Sequence, residues 1–255
     1  MLRLPRSPKT QNLPRLLSKL SALIIPHSCP LCSRMVDREG AICSACLSQI
    51  PYIDRQTCSI CGNILGFDYD PGEILNYTCG ECRLHPPPFK KSLSAAPYEG
   101  GMKKLLRKFK YDGKEFLGGE IASIIFDRCK EMISGNNFDI MTGVPLHIKA
   151  LKKRGFDQSF ILAEHIGGMS GLSQTPEIIV RIRDTASQTH LRRRERIENV
   201  KGAFRLAENA AAIIKGKKIL LVDDVSTTGG TIRECAKTLM KGGAKEVSAI
   251  TAARA

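Results

Sequence analysis

The sequence predicts an α/β protein whose parallel sheet is covered by helices on both faces and is preceded by a small cysteine-rich module. Short apolar runs typical of buried parallel strands alternate with helical patterns from residue 89 to the end of the chain. Eight of the ten cysteines instead lie in four Cys-x-x-Cys pairs between residues 29 and 82. A chain of 255 residues is long enough for one α/β domain and one such module.

The N-terminal tail, residues 1–26, is basic and contains one short helical pattern at about residues 13–25. No acidic residue occurs before Asp37. The apolar run LSALII at residues 20–25 is much too short to span a membrane, and the tail has no secretory signal. We therefore expect a basic amphipathic helix that leads into the module, and a cytoplasmic protein.

Residues 27–88 combine the cysteine pairs with many Gly and Pro residues and little periodicity. The pairs are Cys29/Cys32, Cys43/Cys46, Cys58/Cys61 and Cys79/Cys82. Two such pairs on two tight turns supply the four thiolates of a tetrahedral, structural zinc site. Chain order favours one site from the first two pairs and one from the last two, with an interleaved grouping as the alternative. Disulfides are the competing interpretation, which the absence of a secretory signal disfavours.

The segment Pro86–Pro88 forms a stiff boundary that should hold the module at a fixed spacing from the domain of residues 89–255. In that domain we predict a strand and turn over residues 93–100, then amphipathic helices over residues 101–113 and 114–134. One side of the first helix is apolar, and the other side carries Lys103, Lys104, Arg107, Lys108 and Lys110. Such a run is ordinarily a solvated face, and contact with a polyanion is the alternative.

Further strands are predicted along the rest of the chain. Residues 138–144 are expected to form the first strand of a ligand-binding sheet, and Asp157 is the predicted N-cap of a helix over residues 158–167. Residues 178–183 and residues 246–251 also have strand patterns. Because strands and helices alternate, a parallel sheet is the expected arrangement.

A long polar and basic connection, residues 184–204, has no clear strand pattern and at most one charged helix. A connection of that length in a compact domain is usually either disordered or a functional lid. Its basic segment is a candidate nucleic-acid contact, formed by Arg192, Arg193, Arg194 and Arg196. Cys129 and Cys235 occur singly within helical patterns and are expected to be buried apolar residues.

Residues 219–231, ILLVDDVSTTGGT, are the most informative stretch of the sequence. Four apolar residues predict a buried parallel strand, with Asp223 and Asp224 at its carboxyl end and a Thr/Gly loop before a helix. This arrangement places hydroxyls and unpaired backbone N–H groups at a helix N-terminus, where the helix dipole favours a phosphate. Carboxylates accept hydrogen bonds from sugar hydroxyls. The stretch therefore suits a ligand with both a ribose and a phosphate, and its lack of GK[ST] excludes a P-loop.

The segment Pro145–Lys149 follows the predicted strand at residues 138–144. Ligands of open α/β sheets bind at the carboxyl ends of the strands, so this loop should face the same crevice as Asp223. His147 is either a ligand contact or a loop histidine satisfied by the backbone. Nearby positive charge for an anionic ligand is supplied by Lys149, Lys152, Lys153 and Arg154.

Residues 219–231 resemble the phosphoribosyl pyrophosphate (PRPP) binding motif of type I phosphoribosyltransferases and match it at every position. The resemblance implies a type I phosphoribosyltransferase-like fold, with the two acids on the ribose hydroxyls and the Thr/Gly loop around the 5′-phosphate. It also implies Mg²⁺ bound with PRPP, and a pyrophosphate-binding loop after residue 144. The residues so implied are Asp223, Asp224, Val225, Ser226, Thr227, Thr228, Gly229, Gly230 and Thr231, with His147 and Lys149 on the pyrophosphate.

From about residue 20 to the C-terminus the sequence is similar to the ComF family (ComFC/GntX-like proteins). The resemblance rests on the four Cys-x-x-Cys pairs, PPPF, YEG, KYDG, VPLH, RGFDQ, an Arg-rich segment and VDDVSTTGGT, in that order. It implies a double zinc ribbon joined to a phosphoribosyltransferase fold, and for many members a role in natural transformation, where a helicase partner helps single-stranded DNA across the inner membrane. In many members Pro and an Arg-rich run replace Ile148 and Lys149.

The net charge of +14 predicts attraction to polyanions such as nucleic acid. Together with the resemblance, it predicts a PRPP-binding protein of natural competence that binds single-stranded DNA. The alternatives are an active Mg²⁺-dependent phosphoribosyltransferase of nucleotide metabolism or salvage, and a regulatory module that senses PRPP. Because the sequence continues only briefly after the Thr/Gly loop, we expect the zinc module to form the hood that covers the ligand in phosphoribosyltransferases.

Overall fold

The computed structural model describes residues 27–53, 56–65, 76–172, 177–185 and 193–255. The helix predicted at about residues 13–25 lies outside these ranges. The described strands are β1 (Ser92–Pro97), β2 (Ile140–Gly143), β3 (Ile179–Arg181), β4 (Phe204–Leu206), β5 (Lys218–Ser226) and β6 (Glu246–Arg254). The described helices are α1 (Ser44–Leu47), α2 (Gly80–Leu84), α3 (Gly100–Tyr111), α4 (Leu117–Gly135), α5 (Ile148–Arg154), α6 (Gln158–Ser170), α7 (Arg193–Val200), α8 (Ala210–Ile214) and α9 (Gly230–Lys241).

Four strands form a parallel sheet in the order β1-β6-β5-β2. Gly143, the last residue of β2, lies opposite Val222 of β5, which directly precedes the acid pair. On the other side of β5, Asp223 lies opposite Thr251 of β6. The loop after residue 144 and the acid pair therefore lie at the same edge of the sheet.

Alternate residues of β5 face the two sides of the sheet, as the two-residue period of a strand requires. Leu220 and Val222 pack in one core with residues of α3, α4 and α6. Ile219 and Leu221 pack in a second core with α8 and α9. Both faces of the sheet are covered by helices, so the α/β architecture predicted from the sequence is confirmed.

Several predicted elements are confirmed with small shifts of their ends. The helices predicted over residues 101–113 and 114–134 are α3 and α4. Asp157 caps α6 as predicted, since its Oδ1 accepts the backbone N–H groups of Ser159 and Phe160 at 3.0 and 3.4 Å. Cys129 and Cys235 are buried. None of the described helices is long and apolar enough to cross a membrane.

Two strand predictions are wrong in detail. Residues 138–144 do not form the first strand of the sheet, because β1 precedes them and pairs with β6. The strand predicted over residues 93–100 is confirmed as β1, but its place in the sheet depends on its pairing with β6, which no local pattern shows. The strand predicted over residues 178–183 shortens to β3, which pairs antiparallel with β4 outside the main sheet. The connection 184–204 contains the single predicted helix, which is α7. Its last residue is also the first residue of β4, a strand of three residues that is too short to have a recognisable pattern.

The cysteine-rich module packs directly against the domain, in addition to its covalent connection through Pro86–Pro88. Arg128 of α4 donates to the carbonyl oxygens of Ile50 and Pro51 at 2.9 and 2.8 Å, and its guanidinium lies 3.6 Å from the centroid of the Tyr52 ring. Ser92 N–H donates to the carbonyl oxygen of Ile60 at 2.7 Å. These contacts, and not the proline linker alone, fix the position of the module on the domain.

Candidate functional site

The acid pair lies at the end of β5, within reach of two helices on one face of the sheet. Asp223 Oδ1 accepts the backbone N–H of Asp224 at 2.8 Å and the hydroxyl of Ser159, at the start of α6, at 3.1 Å. Asp224 Oδ2 lies 2.5 Å from the ammonium of Lys110, on α3. The two carboxylates are thus held in fixed orientations at the carboxyl edge of the sheet.

The pKa values of Asp223 and of two groups near it, Lys110 and Asp157, are shifted. Burial, and then the neighbouring charge of Asp224, raise the pKa of Asp223 to about 7, although Lys110 acts in the opposite direction. Burial opposes the charge of Lys110, but the adjacent Asp224 outweighs it and raises the pKa of the ammonium. Burial also raises the pKa of Asp157 to about 6, against three backbone N–H donors that lower it. Perturbed carboxyl groups at the edge of a parallel sheet are typical of a ligand site.

Lys110 belongs to the candidate site, although the sequence pattern of its helix places it on the basic outer side. Its side chain is only 15% exposed and points to Asp224, so that expectation is wrong for this residue. The available signal was helical spacing, because Lys110 follows the buried Leu106 by four residues and therefore lies beside the apolar stripe. Ser159 and Arg181 also lie near the acid pair, and the charge of Asp223 acts on the half-buried Arg181 guanidinium.

The Thr/Gly loop joins β5 to α9 as predicted. Gly229 is the N-cap of α9 and has a φ of 74°, a left-handed conformation that favours glycine. Its missing Cβ would meet no atom within 4 Å, so the space beside the loop is open. Thr228 Oγ1 accepts the N–H of Gly230 at 3.4 Å. An open space at the N-terminus of a 12-residue helix suits an anionic group.

The loop after β2 begins beside β5, since Val144 N–H donates to the carbonyl oxygen of Val222 at 2.8 Å. His147 is the N-cap of α5, and its Nδ1 accepts the backbone N–H of Lys149 at 3.4 Å. The same Nδ1 atom lies 3.7 Å from Asp184 Oδ1, so His147 has both a backbone and a side-chain neighbour, and both sequence interpretations stay open. The Lys149 ammonium lies 3.3 Å from Asp184, which follows β3. The contacts of both residues with a pyrophosphate stay a prediction.

The eight paired cysteines form two groups, and in each group the sulfur atoms lie within 4.8 Å of one another. One group contains Cys29, Cys32, Cys43 and Cys46, and the other contains Cys58, Cys61, Cys79 and Cys82. The sequential grouping is therefore confirmed, and the disulfide interpretation is wrong because all ten cysteines are free thiols. Ligands of a tetrahedral zinc with Zn–S bonds of about 2.3 Å are about 3.8 Å apart. The Cys32–Cys43 and Cys61–Cys79 sulfur distances of 3.6 and 3.8 Å fit this geometry.

In each group, backbone donors favour the thiolate form of one cysteine, Cys29 in the first and Cys58 in the second, whereas the thiols around Cys46 raise its pKa to about 12. Burial opposes ionisation of Cys58, but N–H groups of neighbouring residues outweigh it and lower the pKa of this thiol to about 6. One of these donors is the N–H of Cys79, 3.3 Å from the Cys58 sulfur. A zinc ion needs deprotonated thiols, so the groups are suited to structural zinc.

The second cysteine group lies beside the loop that follows the acid pair. Arg254, at the end of β6, donates to Ser226 Oγ at 2.9 Å, to the carbonyl oxygen of Cys61 at 3.3 Å and to Asn63 Oδ1 at 3.0 Å. From α9, Arg233 donates to the carbonyl oxygen of His85 at 3.0 Å. The module therefore reaches the carboxyl edge of the sheet on the side of β6.

The basic residues predicted to contact nucleic acid are described only in part. Arg192 lies outside the described residues, as do the side chains of Arg193, Arg194 and Arg196, whose backbone belongs to α7. A different basic surface is fully described. It consists of the outer side of α3 and the last turn of α5, and it comprises Lys103, Lys104, Arg107, Lys108, Lys152, Lys153 and Arg154. The Arg154 guanidinium lies 5.5 Å from the ring of Tyr111, which joins the two helices and is 69% exposed.

Comparison with known families agrees with this geometry. A model of the double zinc ribbon domain matches residues 20–83, and a model of the phosphoribosyl transferase domain matches residues 119–255. The parallel sheet with helices on both faces and the two groups of four cysteines fit these two models. Fold and site therefore define a phosphoribosyltransferase-fold protein that carries a double zinc ribbon.

Relatives carry both parts together. The chain is 30% identical over 229 residues to the DNA utilization protein YhgH of Salmonella typhimurium, which covers 88% of this chain and 96% of that protein. It is 26% identical over 220 residues to the competence protein ComFC of Bacillus subtilis, covering 84% of each. The chain belongs to the ComF family, as the motifs predicted. Among solved structures, the purine phosphoribosyltransferase of Pyrococcus horikoshii is 14% identical, with a TM-score of 0.32, over 54% of this chain and 82% of that one.

Proposed function

We propose that this chain binds PRPP or a related ribose phosphate, and that it handles single-stranded DNA during natural competence. One observation supports the ribose phosphate site. The acid pair near the end of β5 is followed by a glycine-containing loop that leads into α9, and the space beside Gly229 in this loop is open. Asp223 and Asp224 would accept hydrogen bonds from the ribose hydroxyls, and the N–H groups of the loop would hold the 5′-phosphate.

Mg²⁺ with PRPP is part of this proposal. Mg²⁺ prefers oxygen ligands and is usually held through one or two carboxylates together with the phosphates of the ligand. The adjacent carboxylates of Asp223 and Asp224 supply such oxygens at the same edge of the sheet as the loop after β2. In that loop, Lys149 and His147 are the proposed contacts for the pyrophosphate.

Isothermal titration calorimetry with Mg²⁺-PRPP tests the site. We expect Asp224→Asn to weaken binding because it removes a charged acceptor, and Gly229→Val to weaken it because a side chain would enter the phosphate space. The matched control is Asp127→Asn, which removes an exposed acid of α4 and should bind like the wild type. Wild-type protein that binds no ribose phosphate, with or without Mg²⁺, would overturn the proposal.

The DNA part is supported by the names of the relatives and by the basic surface on α3 and α5. A cleft of about 340 Å³ is lined by Lys104, Arg107 and Lys108 together with Tyr111 and a single acid, Asp112. Exposed aromatic rings stack on bases, and lysine and arginine side chains bind the phosphate backbone of a single strand. Lys110, on the same helix, contacts Asp224. A strand bound on this surface would therefore run towards the ribose phosphate site.

Fluorescence anisotropy of a labelled single-stranded oligonucleotide tests this part, at two salt concentrations and with zinc-replete protein. We expect Lys104→Ala/Arg107→Ala, and separately Arg192→Ala/Arg193→Ala/Arg194→Ala, to weaken DNA binding and leave PRPP binding mostly intact. Each lost phosphate contact should reduce the salt slope by about one. Lys237→Ala/Lys241→Ala, which removes two exposed charges of α9, is the control.

The outcomes separate the candidate functions. Equal loss of DNA and PRPP binding in the arginine variant would contradict separate sites. Wild-type protein that binds PRPP but no DNA at low salt would favour the alternative, an active phosphoribosyltransferase, and release of pyrophosphate with a panel of acceptors would then be measured. DNA binding that falls with salt and changes on addition of PRPP supports the proposal.

We further propose that the second cysteine group, Cys58, Cys61, Cys79 and Cys82, forms the hood of the site. The support is its connection to the end of β5 through Arg254 and Ser226. In this arrangement the zinc ribbon would cover the ligand.

A further inference from the structure

Lys110 and Asp224 form an ion pair that is almost withdrawn from water. The ammonium is 2.5 Å from the carboxylate, and the two side chains are only 15% and 12% exposed. In the pairs Lys90–Glu246 and Lys217–Asp139, by contrast, the lysine is 56% and 48% exposed. The acid pair is therefore accompanied by a cation that belongs to the protein and is held inside the crevice.

Stability alone is a weak reason for such a pair. The free-energy cost of removing two charges from water often exceeds their mutual attraction. Replacing a buried ion pair with apolar residues of similar volume is therefore often neutral or even stabilising. The apolar stripe of α3, formed by Met102, Leu105, Leu106 and Phe109, is already completely buried. A lysine at the edge of this stripe, aimed at a carboxylate of the candidate site, thus indicates a role towards the ligand.

A sugar phosphate brings several negative charges towards two carboxylates, so the site needs compensating positive charge. Divalent cations commonly supply it by bridging carboxylates and phosphates. A lysine ammonium has three N–H donors, so one can remain on Asp224 while another reaches an oxygen of the ligand. The charge of Asp223 also acts on the half-buried Arg181 guanidinium, which adds to the positive charge around the acid pair.

We propose that Lys110 is the resident cation of this site, bridging Asp224 and the anionic ligand, so that a ribose phosphate binds without a strict requirement for Mg²⁺. The inference rests on the ribose phosphate site proposed above and adds a positioning residue to it. Lys110 holds Asp224 in place for the ribose hydroxyls and offsets the repulsion between the acid pair and the phosphates.

The test compares binding of PRPP and of ribose 5-phosphate by calorimetry in buffer freed of divalent ions over a resin, and again with millimolar Mg²⁺. A soluble chelator is avoided because it would remove zinc from the cysteine groups. We expect the wild type to bind under both conditions. Lys110→Met should lose about tenfold or more in affinity without Mg²⁺, about 1.4 kcal/mol, and regain most of it when Mg²⁺ is added.

Companion variants distinguish this role from a structural one. Lys110→Arg keeps the charge and should keep binding without Mg²⁺, whereas Lys110→Gln should behave like Lys110→Met. Lys130→Met, which removes an exposed lysine of α4, should bind like the wild type. If Lys110→Met does not fold, the comparison between the Arg and Gln variants still decides the question, because both can hydrogen-bond Asp224.

Four results would overturn the inference. Wild-type protein that binds only when Mg²⁺ is present would show that Lys110 does not take the place of the divalent cation. Lys110→Met that binds as well as the wild type without Mg²⁺ would show that the ammonium does not act on the ligand. Tighter binding by this variant would show that the Lys110 side chain occupies part of the ligand site and must be displaced before the ligand binds. Equal losses with and without Mg²⁺ would show a structural role only. Absence of all binding by the wild type would instead overturn the proposed function itself.

Discussion

The ionisation of a single residue, Asp223, opposes the stability of the fold at neutral pH. Its pKa is raised to about 7, mainly by burial, whereas the pKa of an unfolded aspartate is about 4. The folded protein therefore holds this proton more tightly than the unfolded chain. The corresponding stabilisation is complete below about pH 4 and is lost as the pH rises through about 7. A binding site that holds an acid in this way reduces stability at the pH where it works.

Asp223→Asn should therefore stabilise the protein, and the gain should grow between about pH 4 and about pH 7, the interval between the unfolded and folded pKa values of Asp223. The amide oxygen can still accept the hydrogen bonds from Ser159 and from the N–H of Asp224, but it cannot ionise. We expect about 1 kcal/mol or more at the upper end of this range, measured by urea unfolding at several pH values.

Asp127→Asn, at an exposed position of α4, is the control and should show no such trend with pH. A variant at position 223 that loses stability at the higher pH would contradict the assignment of a buried, charged acid. Ligand binding should be lost in Asp223→Asn whatever its stability, because the ribose hydroxyls lose a charged acceptor.

The site residues that the sequence could predict are those whose chemistry is local. Asp223, Asp224 and the Thr/Gly loop share one β-turn-α unit, so their proximity follows from chain order. Lys110 and Ser159 reach the same acids from two other helices, and such tertiary contacts depend on how α3 and α6 pack. Helical spacing places Lys110 beside the apolar stripe, yet only the packing of α3 shows that its ammonium meets Asp224.

At the level of elements, the approach of α6 to β2 positions one side of the site. A Cβ at Gly143 would lie 2.6 Å from both the backbone N of Phe160 and the carbonyl carbon of Ser159. These atoms belong to the first turn of α6, whose cap Asp157 also accepts the N–H of Leu146 at 2.8 Å. Because the clashing atoms are backbone, a side chain here would force the helix away from the sheet.

Gly143→Ala should destabilise the protein by about 2 kcal/mol or more, since overpacking against backbone displaces a whole element. It should also weaken ribose phosphate binding, because Ser159 moves with α6 and releases Asp223. Chemical unfolding and calorimetry measure the two effects. Gly168→Ala, on α6 itself, is the matched control, because a Cβ there meets no atom within 4 Å. It should be neutral or should stabilise the protein by about 0.5 to 1 kcal/mol. Equal stability of the two variants would contradict this account.

Elements with strong periodicity or capping were predictable, and so were the short strands β2 and β3, whereas β4 and the pairing of β1 were not. The four buried positions of α3 and the cap of α6 follow from residue spacing and from Asp157. β4 has three residues and is defined by its pairing with β3, so no local pattern identifies it. The place of β1 in the main sheet likewise depends on its pairing with β6.

In the whole molecule the two cysteine groups contact different parts of the domain. The first group lies on the side of α3 and α4, where Leu31 lies beside Gly101 and Arg38 pairs with Glu120. The second group is joined to the end of β5 and to α9 through Arg254 and Arg233. Both groups should contribute folding free energy when zinc is bound, and among the described residues the second group is the one joined to the end of β5, where the proposed ligand site begins.

Cys43→Ser and Cys79→Ser should each lower the zinc content from two ions per chain towards one and lower the melting temperature. Only Cys79→Ser should also weaken ribose phosphate binding, because the ribbon that reaches Ser226 through Arg254 loses its metal. Zinc analysis, calorimetric melting and ligand titration on the same preparations measure all three quantities. Unchanged melting and full zinc content in Cys43→Ser would show that its group is not a zinc site, and equal ligand affinity in the two variants would show that the second ribbon is not the hood.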